Sequence, residues 1–404
     1  MKLIYLGIGY PVKGDQNIYT DLMKCFVRHG HTVTVVCSDE NGDNLNRMAF
    51  SREIENGIDV IRVKTPSNVG NVSMIKKGIA TLFEDAFFLS AVKKSIPNEK
   101  YDLILCSTPP ITLTNTIDYL QKRNNTFVYL MLKDIFPQNA VDLGIIRKNS
   151  IIYKYFRTVE KRLYNKCNYI GCMSNANIKY ILEHNEQIPK DRVGLCVNSL
   201  DDTVVYQCGP EKESILAEFE IPVNRTIFIY GGSLGAPQGI DQLIEFLRRQ
   251  NNLDDRFYVI CGKGKEAWKI QEYIDLTRPT NVRYIPWIEY RKYEKLAGAC
   301  DIGMVLLNPN FTIPNFPSRL LTLTRNGMPV FCATDSVTDV GKIVAENGFG
   351  WSCNSGNVDE MISVADVICN SKSSYEDMGL RARQFYLDNY TTENTYLQIM
   401  DTIS

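Results

Sequence analysis

A cation at the start of a short helix is the first group in this sequence with the chemistry to hold an anion. In Pro317-Ser318-Arg319 the proline and serine are helix-opening residues. Leu320, Leu321 and Thr324 follow at helical spacing to give a buried side, Gly327 stops the helix, and Pro329 leads into the apolar run Val330-Phe331-Cys332. Such a first turn would bring free backbone N–H groups, the Ser318 hydroxyl and the Arg319 guanidinium together, which suits a diphosphate. An ordinary helix with Arg319 in solvent would use the same residues.

A second such group is the turn Gly231-Gly232-Ser233-Leu234-Gly235-Ala236-Pro237-Gln238-Gly239, which follows the apolar run Thr226-Ile227-Phe228-Ile229-Tyr230. It precedes a helix with Ile240, Leu243, Ile244 and Leu247 on one face. Glycines that free the backbone, an amide-rich turn and a helix N-terminus together point to a phosphate cradle at Gly232, Ser233 and Gly235. A further glycine loop, Gly262-Lys263-Gly264-Lys265, adds two cations, and Trp287 could pack on a base or fill the core.

These groups need strands and helices behind them. The chain opens with Leu3 to Gly7 as a strand, a polar loop containing Gly14, Asp15, Gln16 and Asn17, a helix with the apolar stripe Ile18, Leu22, Cys25 and Phe26, and the strand Thr32-Val33-Thr34-Val35-Val36. This is a βαβ unit, whose ligands bind at the carboxyl ends of strands. The loop at Gly14 to Asn17 can contact a ligand or simply turn the chain; it lacks the GxGxxG pattern of a dinucleotide site. Two later strands end in polar loops, one at Ser107-Thr108-Pro109-Pro110 and one at Lys133-Asp134. Lys133 and Asp134 are consecutive, so in an extended chain they face opposite sides. Asn198 to Asp202 reads as a hinge. The expected domains are 1–199 together with a closing helix at 391–404, and 200–390.

Two segments have the composition of a membrane surface binder. Residues 74–89 are apolar and aromatic, with Lys76 and Lys77 near one end and Lys93 and Lys94 beyond the other, and residues 147–162 combine Arg147, Lys148, Lys154, Arg157, Lys161 and Arg162 with Tyr153, Tyr155 and Phe156. A core helix and a solvated helix face are the plain alternatives.

The totals narrow the class. A chain of 404 residues exceeds one hydrophobic core, so two domains are expected. Apolar residues at 44% and charged residues at 23% describe a globular protein, and a net charge of −1 argues against bulk nucleic-acid binding. The 12 cysteines have no CxxC pair and lie mostly in apolar runs, as reduced core thiols do. His29, His31 and His184 have no metal-site spacing, so no metal is expected. Without an apolar stretch long enough to span a bilayer, the expected location is the cytoplasm, extending to the inner face of the cell membrane.

In order and spacing these motifs resemble the GT-B glycosyltransferases of the family-4 type, in the bacterial branch that builds capsule and O-antigen polysaccharides. The resemblance covers nearly the whole chain. It rests on Gly30-His31-Thr32-Val33-Thr34-Val35, on Asp134-Ile135-Phe136-Pro137 followed by Leu143-Gly144, on the turn Gly231 to Gly239, and on Pro317-Ser318-Arg319 with Gly327-Met328-Pro329-Val330. It implies an α/β fold of two Rossmann-like domains facing a central cleft, with the C-terminal helix crossing back to the N-terminal domain. It further implies a retaining, metal-independent transferase that needs no cofactor. The nucleotide-diphosphate sugar would bind Gly232, Ser233, Gly235, Lys263, Trp287, Ser318, Arg319 and Thr322. The polysaccharide or lipid-linked acceptor would bind near Gly14, Asp15, Gln16 and Asn17, and Asp134 or Lys133 would lie near the reacting sugar. The sequence departs from the family at three places: Thr322 stands where the second Glu of a Glu-x7-Glu motif binds the ribose, Ser233 and Gln238 replace a frequent Arg and Lys, and Lys133 replaces a frequent His. A GT-B partner subunit without transferase activity is the alternative these departures favour; a nucleotide-sugar epimerase is a third reading that finds few histidines to work with.

Overall fold

The computed structural model describes the chain apart from residues 12–15, 40–48, 66–73, 203–208 and 404, with backbone alone for 74–82 and 210. It divides into two units, Met1–Asp201 joined by Thr392–Ser404, and Asp202–Thr391.

The first unit runs β1 (Lys2–Gly7), α1 (Ile18–Arg28), β2 (Thr32–Ser38), β3 (Phe50–Glu55), β4 (Ile58–Val63), α2 (Met74–Ser95), β5 (Leu103–Ser107), α3 (Thr114–Gln121), β6 (Phe127–Leu132), α4 (Gln138–Asp142), α5 (Ile151–Lys166), β7 (Tyr169–Cys172), α6 (Asn175–His184) and β8 (Val193–Leu195). Among the described residues these strands form one eight-stranded sheet in the order β3-β4-β2-β1-β5-β6-β7-β8. All neighbours pair parallel except β3 with β4. Every residue of β5 is buried, because helices cover both faces of a parallel sheet. The antiparallel pair is closed by Asn56-Gly57, both with positive φ, a turn chemistry suited to tight hairpins. The chain leaves β1 toward β2 on one side while β5 lies on the other, so the loops at Gly7 and Ser107 diverge and open a crevice at their carboxyl ends.

The second unit runs α7 (Lys212–Glu218), β9 (Thr226–Gly231), α8 (Ile240–Arg249), β10 (Arg256–Cys261), α9 (Ala267–Thr277), β11 (Val282–Ile285), α10 (Tyr290–Ala299), β12 (Ile302–Leu306), α11 (Arg319–Arg325), β13 (Val330–Thr334), α12 (Val340–Glu346), β14 (Gly350–Asn354), α13 (Val358–Asn370) and α14 (Tyr375–Asn389). Its six-stranded sheet is parallel throughout, in the order β11-β10-β9-β12-β13-β14. Numbered from β9 this is 3-2-1-4-5-6, the doubly wound order, with its switch point between β9 and β12. Phe228, Phe246, Tyr258 and Phe331 form the aromatic centre of its core.

The last helix, α15 (Thr392–Ile403), belongs to the first unit. Tyr396 stacks on His29 at 4.0 Å and meets Phe26 edge-on at 5.0 Å. The Thr392 amide donates to the Leu200 carbonyl at 3.2 Å, and the Val197 amide donates to Gln398 Oε1 at 3.3 Å.

Candidate active site

In the second unit the switch point gathers most of the groups expected to meet an anion. β9 ends at Gly231, and the next residue, Gly232, has φ of 144°, which L side chains rarely adopt. The loop that begins there is held from below by the loop after β10. The Gly232 amide donates to Cys261 O at 3.0 Å, and the Leu234 amide to Lys263 O at 3.0 Å. A Cβ on Gly262 would fall 1.9 Å from Gly232 O, so this glycine permits backbone to pack on backbone. From the β12 side, Asn308 Nδ2 donates to Ala236 O at 2.7 Å and its own amide donates to Pro237 O at 2.9 Å. Asn308 pins the glycine turn, a role its sequence position does not advertise.

Arg319 comes to this turn from α11. Its guanidinium carbon lies 4.3 Å from the centroid of the Tyr230 ring, and its Nη2 would stand 3.2 Å from a Cβ on Gly232. The ring is fixed because Tyr230 OH donates to Ser233 O at 2.8 Å. Arg319 Nη1 is buried and has no hydrogen-bond acceptor among the described residues. A half-buried cation with an unused donor, next to a backbone free of side chains, is an arrangement built for an anion.

α11 itself differs from the amphipathic helix expected: Leu320 to Arg325 are all buried, and Thr322 is among them. The reason is the pair Arg325–Glu294, buried on both sides, which lets α11 enter the interior with its cation neutralised. Its end packs against α14, where a Cβ on Gly379 would lie 2.3 Å from Gly327 O. The Ser318 side chain is exposed and makes no capping bond. The helix after the glycine turn begins only at Ile240, beyond a 3-10 turn at Ala236–Gln238, so Gly232 and Ser233 do not sit at a helix N-terminus as the sequence suggests. Lys263 and Lys265 are exposed. Trp287 is 68% exposed, which removes the alternative of a core residue.

In the first unit the corresponding crevice holds Tyr5, Ser107 and Tyr19. Tyr5 OH and Ser107 Oγ are 2.8 Å apart, and Tyr19 stacks on Tyr5 at 5.4 Å. Just beyond β6, Thr108 Oγ1 donates to Asp134 O at 3.0 Å and accepts from the Lys133 and Asp134 amides. The two side chains then part. The Lys133 ammonium donates to Cys196 O at 3.1 Å and Val197 O at 3.5 Å, and burial lowers its pKa. Asp134 accepts from the Ile135 amide at 2.8 Å and from Asn139 Nδ2 at 2.5 Å. Burial outweighs these bonds and pushes its carboxyl up to about 6. That value gives Asp134 a proton to exchange near neutral pH.

Of the residues expected to meet an acceptor, Gly14 and Asp15 lie outside the described residues, and Gln16 is exposed. Asn17 is occupied as the cap of α1: its Oδ1 accepts from the Tyr19 and Thr20 amides at 2.9 and 3.0 Å, and its Nδ2 donates to Gly9 O at 2.7 Å. Among the described residues, Cys25, His29 and Glu393 place ligand-type atoms within 4.8 Å of one another. The thiol and the His29 Nε2 both bond the Glu393 carboxylate, at 3.6 and 2.9 Å, so these groups fasten α15 to α1.

Fold and site together describe a two-unit α/β protein of parallel sheets with ligand-type crevices at strand ends, the GT-B architecture. Residues 211–385 match the family described as Glycosyl transferases group 1, a region within the second unit. The chain is 21% identical over 318 residues to the probable glycosyltransferase WbjE of Pseudomonas aeruginosa, covering 79% of this chain and 78% of that one. It is 19% identical over 359 residues to the putative colanic acid biosynthesis glycosyl transferase WcaI of Escherichia coli strain K12, covering 85% and 86%. Among solved structures it is similar to sucrose-phosphate synthase from Thermosynechococcus elongatus, with a TM-score of 0.74, 14% identity and coverage of 99% and 98%. It is also similar to Anabaena HepE in complex with UDP-glucose, with a TM-score of 0.72, 14% identity and coverage of 100% and 99%.

Proposed function

We propose that this protein is a retaining glycosyltransferase that moves a sugar from a nucleotide-diphosphate donor to a polysaccharide or lipid-linked acceptor in cell-surface glycan synthesis. The observation that carries the reading is Arg319, a half-buried cation with an unused Nη1 donor beside the side-chain-free backbone at Gly232. As the sugar's anomeric carbon leaves the donor, negative charge develops on the diphosphate. A fixed guanidinium stabilises that charge without metal assistance. Ser233, Gly235, Ser318, Lys263 and Trp287 line or flank the same strand ends and serve the rest of the nucleotide sugar. Asp134, ionised above about pH 6, accepts a hydrogen bond from a hydroxyl of the transferred sugar or of the acceptor. Lys133, committed to two backbone carbonyls, positions the Asp134 loop. The name of WbjE supports the transferase class, that of WcaI the glycan setting, and the UDP-glucose of the HepE complex the donor class.

Thr322 favours a second reading. It is buried in α11 at the place where the family's ribose-binding Glu would stand, which suits a stabilising partner subunit without a nucleotide site or transferase activity of its own. A thermal-shift panel of nucleoside diphosphates separates the two, because a ligand that binds only the folded state raises its apparent stability. A shift with one nucleotide, lost in Arg319→Ala, supports the enzyme; no shift with any of them supports the partner.

A further inference from the structure

The segment from Ile145 into the first turns of α5 displays four large apolar side chains to solvent: Ile151 at 88% exposure, Ile152 at 58%, Tyr155 at 51% and Ile145 at 47%. Ser150 Oγ caps this helix by accepting from the Tyr153 amide at 3.2 Å, so its first turn is fixed. Ile151 and Tyr155 are one turn apart and share a face. The core side of α5 is supplied by Phe156, Leu163 and Tyr164. Ile151 and Ile152 are therefore an outward face rather than a misplaced core.

Cations surround this face. Arg147, Lys148 and Lys154 are exposed, followed along the helix by Lys161 and Arg162, and none of them forms an ion pair among the described residues. The one acid within residues 145–162, Glu160, is buried and bonded to Arg157 and Tyr164. A protein of net charge −1 thus concentrates unpaired positive charge around exposed isoleucines. Apolar side chains that enter an acyl boundary, with cations at phosphate level, are what an anionic bilayer binds.

We propose that this face docks the first unit on an anionic phospholipid membrane, with Ile151, Ile152 and Tyr155 in the interface and Arg147, Lys148 and Lys154 on the headgroup phosphates. The docking helix is tied to the Asp134 loop: Phe136 meets Phe156 edge-on at 5.0 Å, and Tyr153 OH donates to Gln138 Oε1 at 3.3 Å. On the glycosyltransferase reading, this brings Asp134 to an acceptor carried by lipid; the membrane contact itself does not depend on that reading.

Co-sedimentation of the full chain with vesicles tests it. The protein pellets with phosphatidylcholine vesicles containing phosphatidylglycerol, not with phosphatidylcholine alone, and the bound fraction falls with added salt. The double variant Arg147→Glu, Lys148→Glu weakens binding by at least about fivefold per charge removed. Ile151→Ser with Ile152→Ser weakens it without changing the melting temperature or any nucleotide-induced shift, and Lys179→Glu on α6 leaves it unchanged. Failure of the unaltered protein to pellet, or variants that bind as it does, or an equal loss in Lys179→Glu, overturns the proposal; none of these results bears on nucleotide binding, which the thermal-shift panel reads separately.

Discussion

Arg319 rides over the face of Tyr230 at 4.3 Å, and the ring it rides on is anchored to the backbone of the next loop through the Ser233 carbonyl. The cation therefore has a fixed address at the end of β9 before any ligand arrives. Preorganised charge of this kind lowers a barrier without reorganisation at the moment of reaction.

Replacing it should remove the charge and leave the fold. In Arg319→Ala we expect the nucleotide-dependent thermal shift to vanish and turnover to fall about 10²-fold or more. Arg319→Lys should recover part of the shift, since an ammonium restores charge but not the planar fork.

Gly232 and Gly235 should respond differently to alanine. At Gly232 the new Cβ combines a φ of 144° with a guanidinium nitrogen 3.2 Å away, so we expect about 1–3 kcal/mol of destabilisation and weaker nucleotide binding. At Gly235 the nearest atoms are 3.7 Å away in ordinary contact, and Gly235→Ala should melt like the unaltered protein. Paired melting curves with and without nucleotide check both.

Asp134 carries a pH signature. Its folded pKa of about 6 lies above the ordinary carboxylate value, so the folded protein holds this proton more tightly than the unfolded chain. As pH rises from about 4 to 6 its contribution to stability declines, and Asp134→Asn lacks that decline. The melting temperature of the variant relative to the unaltered protein should rise over that window and level off above it. Transfer activity should climb through pH 6 in the unaltered protein, and the variant should lose both that limb and most of its rate.

Glu294→Ala removes the carboxylate that pairs with the buried Arg325 guanidinium and leaves the Tyr290 hydroxyl beside it. The side chains are 3% and 5% exposed, and breaking a buried pair in this way costs about 3–5 kcal/mol. The double variant Glu294→Leu, Arg325→Met should be more stable than Glu294→Ala, because it removes both buried charges rather than the carboxylate alone. Since α11 begins at Arg319, the single variant should also weaken the nucleotide shift. Denaturation curves of the three proteins decide this.

Much of the framework could be read from the residues. Parallel strands announce themselves as short apolar runs, and β9 is legible for that reason, as is Gly327 as a helix end. The β3–β4 hairpin was not, because β3 is an edge strand whose Arg52, Glu53 and Ile54 face solvent and break the pattern that burial would impose. The loop at Gly14 to Asn17 reads equally well as a ligand contact or a plain turn, and only the positions of the Tyr19 and Thr20 amides make Asn17 a cap. Trp287 has the composition of a core residue and none of the burial. The Arg325–Glu294 pair spans two elements, and no periodicity within either reports it. Likewise a helix period marks α5 as having two faces, but which of them Ile151 takes depends on the sheet it packs against.

The return of α15 to the first unit has a consequence for how the protein is made. The seat for Tyr396, built from Phe26 and His29, emerges from the ribosome early, while the helix that fills it follows only after the whole of the second unit. Synthesis thus completes the later-translated unit before the earlier one, and the nascent first unit keeps an open seat for Tyr396 until the second unit has been made.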